Sequence, residues 1–106
     1  MIVVTSETIP GKRIVRTVGV VRGNTVRARH IGQDIMAGLK NVVGGEVREY
    51  GKLIAESREQ SIDRMIEHAT DLGANAIICV RFTTSVMMAG SAELLAYGTG
   101  VVVTDE

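Results

Sequence analysis

The chain of 106 residues is poor in the features that would announce a chemistry. Cys79 is its single cysteine, so no internal disulfide can form. A reducing, cytoplasmic setting is the expectation. Tryptophan is absent, and the aromatics are only Tyr50, Phe82 and Tyr97, so the core must be aliphatic. No apolar run reaches the ~20 residues of a membrane-spanning helix. The first seven residues, Met1-Ile2-Val3-Val4-Thr5-Ser6-Glu7, lack the basic and long apolar regions of a secretory signal. Hence no membrane association is expected. The motifs GxSxG, GxGxxG and GxxxxGK[ST] are missing, which leaves no basis for a catalytic triad or a dinucleotide or phosphate loop. The chain is expected to be no enzyme, with no catalytic residue.

What is present describes one folded domain over residues 1–106. Hydrophobic residues make up 45% of the chain, too many for a disordered one. Net charge is zero, yet it is divided. Residues 1–40 carry seven basic and two acidic groups, a net +5, and residues 41–106 carry a net −5. Such a chain can attract a second copy of itself.

The apolar pattern alternates between two periods. Ile2–Thr5 and Arg13–Val21 read as strands, and Gly23-Asn24 reads as a turn closing a hairpin with Thr25–Arg29. Ile31, Ile35, Leu39 and Val42 predict a short helix over Gly32–Val43. Gly44-Gly45 ends it. A long helix follows from Glu46 to Leu72, with the stripe Tyr50, Leu53, Ile54, Ile62, Met65, Ile66, Ala69 and Leu72. Ser57 and Ser61 lie on that stripe and permit a close contact. Asp63, Glu67 and Asp71 line another face at four-residue spacing and read as solvent-facing. Gly73 stops the helix. At 1.5 Å per residue it would be ~40 Å long, against a domain diameter of roughly 33 Å. The excess points to a surface shared with neighbouring copies. Asn75–Val86 is a strand apolar on both faces near its start, and so central in a sheet. Ala89-Gly90-Ser91 turns the chain, and Glu93–Val103 returns. Gly98 and Gly100 share a face there and admit a close neighbour.

Few side chains could carry binding chemistry. His30 and Asp34 are one helical turn apart, as are His68 and Asp71, so each pair could give two ligands to a divalent metal ion. Cys79 could add a thiolate, although in an apolar strand it reads as a small hydrophobe. A metal site needs three or four converging ligands, and neither pair reaches that alone. The glycines before the long helix are a poor anion site, because Glu46 and Glu49 would repel a phosphate. Arg13, Arg16, Arg22, Arg27 and Arg29 could meet nucleic acid phosphates. Their half of the chain holds no aromatic for stacking, so no nucleic acid partner is expected.

Taken together, several segments match a known pattern. They are Met1–Thr5, Gly11-Lys12-Arg13-Ile14-Val15, Ala37-Gly38-Leu39-Lys40-Asn41-Val42-Val43-Gly44-Gly45, the long helix closing on Leu72-Gly73-Ala74-Asn75-Ala76-Ile77-Ile78, and Gly98-Thr99-Gly100-Val101-Val102. The chain resembles the YbjQ family of small prokaryotic proteins, also described as heavy-metal-binding domains. The resemblance implies an α+β fold of two layers, with an antiparallel sheet and one short and one long helix on one face, in a dodecin-like arrangement. It also implies a ring-shaped homopentamer. Relatives commonly carry acids after Gly-Ala-Asn-Ala, where this chain has Val80-Arg81-Phe82-Thr83-Thr84-Ser85. The expected function is therefore a homo-oligomeric binding or scaffolding protein. The alternatives are heavy-metal binding and a small ligand or flavin held between subunits.

Overall fold

In a computed structural model that describes residues 1–27, 45–88 and 91–106, four strands and one long helix form two layers. The elements are β1 (Ile2–Val3), β2 (Lys12–Arg27), α1 (Gly45–Asp71), β3 (Ala76–Met88) and β4 (Ser91–Asp105). The sheet order is β1-β3-β4-β2. Both β2 and β3 run antiparallel to β4, so they are parallel to each other with β4 between them. This is a split β-α-β unit, in which α1 carries the chain from one edge of the slot to the other.

The α+β class, the two layers and the central place of β3 agree with the sequence. Two expectations need correction. The sheet is mixed rather than antiparallel, because β1 joins β3 in parallel register, Ile2 beside Ala76 and Val3 beside Ile77. Val4 extends that pairing: its N–H donates to the Ile77 carbonyl at 2.9 Å, and the Val80 N–H donates to its carbonyl at 3.1 Å. The second correction concerns Gly23-Asn24, which is no turn. Strand β2 runs straight through it, pairing Gly23 with Ala96 and Asn24 with Leu95. A Cβ on Gly23 would lie 2.2 Å from the Ser61 carbonyl oxygen and 2.3 Å from the Met65 nitrogen. Glycine stands there so that the helix backbone can rest on the strand. The expected short helix at Gly32–Val43 falls outside the described residues.

Helix α1 lies mainly over β2 and less over β4 and β3. Its buried stripe places Met65 and Ala69 against Val21, Ala74, Ile77, Val80 and Ala96. Ser57 and Ser61 are buried too. Ser61 Oγ donates to the Leu94 carbonyl at 3.1 Å and lies 3.2 Å from Thr25 Oγ1. Small hydroxyl side chains thus let helix and sheet approach while their polar atoms stay paired. A second, smaller cluster lies on the opposite face of the sheet, where Ile2, Ile9 and Ile78 pack on Ala76, Val101 and Val103.

The Gly73-Ala74-Asn75-Ala76 segment does three jobs in four residues. Gly73 takes φ +89°, and the Ala74 N–H reaches back to the Ala69 carbonyl at 2.9 Å while the Gly73 N–H bonds the Thr70 carbonyl at 3.0 Å. That pair is the Schellman closure of a helix. Asn75 then pairs its side-chain amide with the backbone of Val103, accepting from its N–H at 2.8 Å and donating to its carbonyl at 3.0 Å. Ala76 is buried beneath Ile2. Replacing Asn75 by alanine strips both partners from a part-buried backbone, and should cost about 2 kcal/mol. Urea unfolding of Asn75→Ala against wild type measures this, and an unchanged midpoint would contradict it.

At one end of the sheet Lys12 pairs with Asp105, and this ion pair holds the Asp105 carboxyl below its ordinary value through the hydrogen bond and charge of Lys12. The contribution is present above the ordinary carboxylate range and fades as pH falls through the lowered value. A carbon-13 titration of the carboxyls should therefore show Asp105 titrating low, and Lys12→Ala should bring it back up.

Candidate functional site

Pairing register determines which side chains share a face. Val21, Gly23 and Thr25 of β2 are buried beneath α1, so Val20, Arg22, Asn24 and Val26 project from the opposite, outer face. Arg22 stands beside Tyr97 on β4, and Tyr97 stands beside Arg81 on β3. The outer face thus carries a row of arginine, tyrosine and arginine across three strands. Val20 is 70% exposed, Val26 52% and Tyr97 38%. The next row is Asn24, Leu95 and Thr83, and beyond it Val26, Glu93 and Ser85. Glu93 accepts from Asn24 Nδ2 at 3.0 Å. Around this row the outer face is therefore basic and apolar, and the nearby Glu93 carboxylate is already hydrogen-bonded.

Arg81 has a structural task as well. Its Nη1 donates to the Thr5 carbonyl at 2.9 Å and to the Val80 carbonyl at 2.8 Å. It follows a bulge between Ile78 and Arg81, where Cys79 adopts φ +55° and its N–H bonds the Ser6 carbonyl at 3.0 Å. Arg81 so fastens the segment after β1 onto β3.

Of the expected metal ligands, His68 and Asp71 lie in the last turn of α1. The Arg22 backbone N–H donates to His68 Nδ1 at 3.1 Å. In the neutral ring the proton then belongs on Nε2, which leaves neither nitrogen with a free lone pair. His68 serves to hold the helix end on β2. Cys79 is half-buried at the bulge. Among the described residues no three of His, Cys, Asp and Glu converge where a metal ion could sit. They do not fit the metal that the family resemblance implies. His30 and Asp34 lie outside the described residues.

One cleft opens between helix and sheet, lined by Thr25, Ile54, Ser57, Thr84, Ala92, Glu93 and Leu94. Its volume of about 70 Å³ is well under the ~300 Å³ at which ligand pockets begin. It has no room for a flavin ring.

The Arg22–Tyr97–Arg81 row is not legible in the sequence. The arginine-rich first 40 residues hold no aromatic, and the fold brings Tyr97 across from the other half. Strand alternation puts each residue on a face, but only the register, with its bulges, puts the three in line.

The split β-α-β layer defines a small α+β protein, and among the described residues no metal-ligand group converges. The comparisons agree. The YbjQ family model, described as "Putative heavy-metal-binding", matches residues 1–104, and the chain belongs to this family. It is 57% identical over 106 residues to a UPF0145 protein of Thermococcus kodakarensis, covering 100% of this chain and 94% of that one. A UPF0145 protein of Methanosarcina acetivorans is 55% identical over 101 residues, with 95% of each chain covered. Neither name states an enzymatic activity. Among solved structures, a protein of unknown function of the DUF74 family from Pediococcus pentosaceus shares the fold, with a TM-score of 0.64, 15% identity and 98% of each chain covered. No helix among the described residues is long and apolar enough to cross a membrane.

Proposed function

We propose that the protein is a non-enzymatic, homo-oligomeric binding or scaffolding protein of the cytoplasm. The observation that carries this is the shape of the protomer. Its radius of gyration is 17.0 Å and its extents are 56 × 24 × 17 Å, whereas a compact chain of this length has a radius near 13 Å. Its accessible surface is 6822 Å², about 1,000 Å² more than expected for its mass. That surplus is comparable to the ~800 Å² each partner buries in a standard interface. The +5 and −5 halves favour like copies as partners. The pentamer implied by the family resemblance is the assembly we favour. Light scattering at micromolar concentration tests the reading: a pentamer has five times the 11.4 kDa of the chain, and a monomeric mass would remove it.

Heavy-metal binding is the second reading, favoured by the family's description. A site would have to draw on His30 and Asp34 or on ligands from several copies. Titration with zinc, copper and nickel decides it. Saturable binding tighter than about 10 μM supports the reading, and its absence at that level removes it.

A further inference from the structure

We infer that the open outer face of the sheet is the surface on which a second copy docks, and that it receives the acidic face of that copy's helix α1. This rests on the oligomeric reading above and adds the two surfaces that meet.

The outer face presents Arg22 and Arg81 on either side of Tyr97, amid exposed Val20 and Val26. Desolvated tyrosine and arginine are the side chains most often found at the centre of protein interfaces. The face is too apolar to be an ordinary solvated surface and too basic to bury itself against an apolar partner. Its occupant must bring carboxylates.

The same chain supplies them. On α1, Glu59, Asp63, Glu67 and Asp71 are exposed and follow one another at four-residue intervals. Each neighbouring pair repels its mate across one helical turn. The stripe also runs into the C-terminal end of the helix, where the backbone dipole is itself negative. The three repulsions and the dipole all act in one direction. Among the described residues no ion pair offsets the repulsions, since the one ion pair is Lys12–Asp105; the Arg16 guanidinium comes near only the end of the helix, 3.8 Å from where a Cβ on Gly73 would lie. The nearby Arg64 donates Nη1 to the Asn24 carbonyl at 2.5 Å, and so turns toward the strand. A cationic surface laid along the stripe relieves all of these terms together.

The basic face and the acidic stripe belong to opposite layers of a protomer. No copy can satisfy itself, and the contact between two copies is head-to-tail. Head-to-tail contacts generate closed rings or open filaments rather than a two-fold dimer.

The experiment uses two charge reversals of exposed side chains, Arg22→Glu and Asp63→Lys, each in the full chain. Either reversal sets like charges against each other, and should raise the dissociation constant of the assembly by about 100-fold. Mixed in equal amounts, the two variants should associate with each other, because the new carboxylate of one meets the new ammonium of the other; a ring of five has an odd number of contacts and cannot alternate two variants throughout, so the mixture reads association and not full closure. The double variant Arg22→Glu/Asp63→Lys should assemble by itself. Light scattering reads mass, and circular dichroism checks that each variant is folded. Should a variant fail to fold, wild-type protein across 0.05–0.5 M salt gives an independent measure, since screening must weaken this contact. A monomeric wild type overturns the oligomeric reading and this inference with it. An assembled wild type whose mass is indifferent to salt and to both reversals overturns the inference alone. Loss of assembly with no association in the mixture, or with no reassembly of the double variant, shows that these two surfaces do not meet each other, and overturns it as well.

Discussion

Gly23→Ala should destabilise the protein more than any other exchange of one methyl group. The added Cβ would lie 2.2 Å from the Ser61 oxygen, 2.3 Å from the Met65 nitrogen and 2.8 Å from the Arg64 carbon. All three are backbone atoms of α1, so no rotamer change can clear the space. The helix must lift from β2, and with it Met65 and Ala69 leave their places in the core. Overpacking a core costs about 1–3 kcal/mol where side chains can yield, and the upper end or beyond is expected here. Since 1 kcal/mol shifts the melting temperature of a small domain by ~4–8 °C, a loss of more than ~12 °C is the expected result. Gly51→Ala is the control. Nothing lies within 4 Å of its Cβ position in the same helix, so alanine should add about 0.5–1 kcal/mol by stiffening the unfolded chain. Two melts of opposite sign would establish that Gly23 serves contact rather than turning. Equal melts would refute it.

Met65→Ala is the second large effect. Met65 is fully buried and is among the largest such side chains in the core. It packs between Val21 of β2 and the cluster of Ile77, Val80 and Ala96. Truncating it leaves a cavity beneath the helix that Gly23, pressed against backbone, cannot fill. A cost of about 3 kcal/mol is expected, within the range for buried large-to-small changes. Met65→Leu should cost less than about 1.5 kcal/mol, because volume is nearly kept. Chemical denaturation of the two variants separates cavity formation from a specific need for the thioether.

These effects show what the sequence could and could not disclose. Both ends of α1 were legible, since the apolar stripe has helical period and Gly73 stops it with a closure that few other residues permit. Ser57 and Ser61 were legible as contact positions for the same reason. Gly23-Asn24 was not, because a glycine that admits a helix backbone looks the same in a sequence as one that turns a chain. The parallel joining of β1 was hidden too. Two residues hold no period, and the direction is set by the hydrogen bonds of Val4. For the candidate site, the acidic spacing of Asp63, Glu67 and Asp71 could be read directly, since a helix is a local structure. The basic row could not. Arg22, Arg81 and Tyr97 meet only through the register of three strands, and a bulge before Arg81 offsets that register by an amount no local pattern announces.

The slot filled by β4 has a consequence for how the protein is made. In the sheet order β1-β3-β4-β2, the strand that reaches the ribosome exit first after β1 can pair only with the last described strand, and Lys12 meets Asp105 across 93 residues of chain. Among the described strands, β2 therefore has no neighbour during synthesis until β4 emerges. Pairings so distant in sequence slow folding and leave an edge open to other chains in the meantime. Arg13, Arg16 and Arg22 place three positive charges along that strand, the kind of charge by which edge strands resist pairing with other chains.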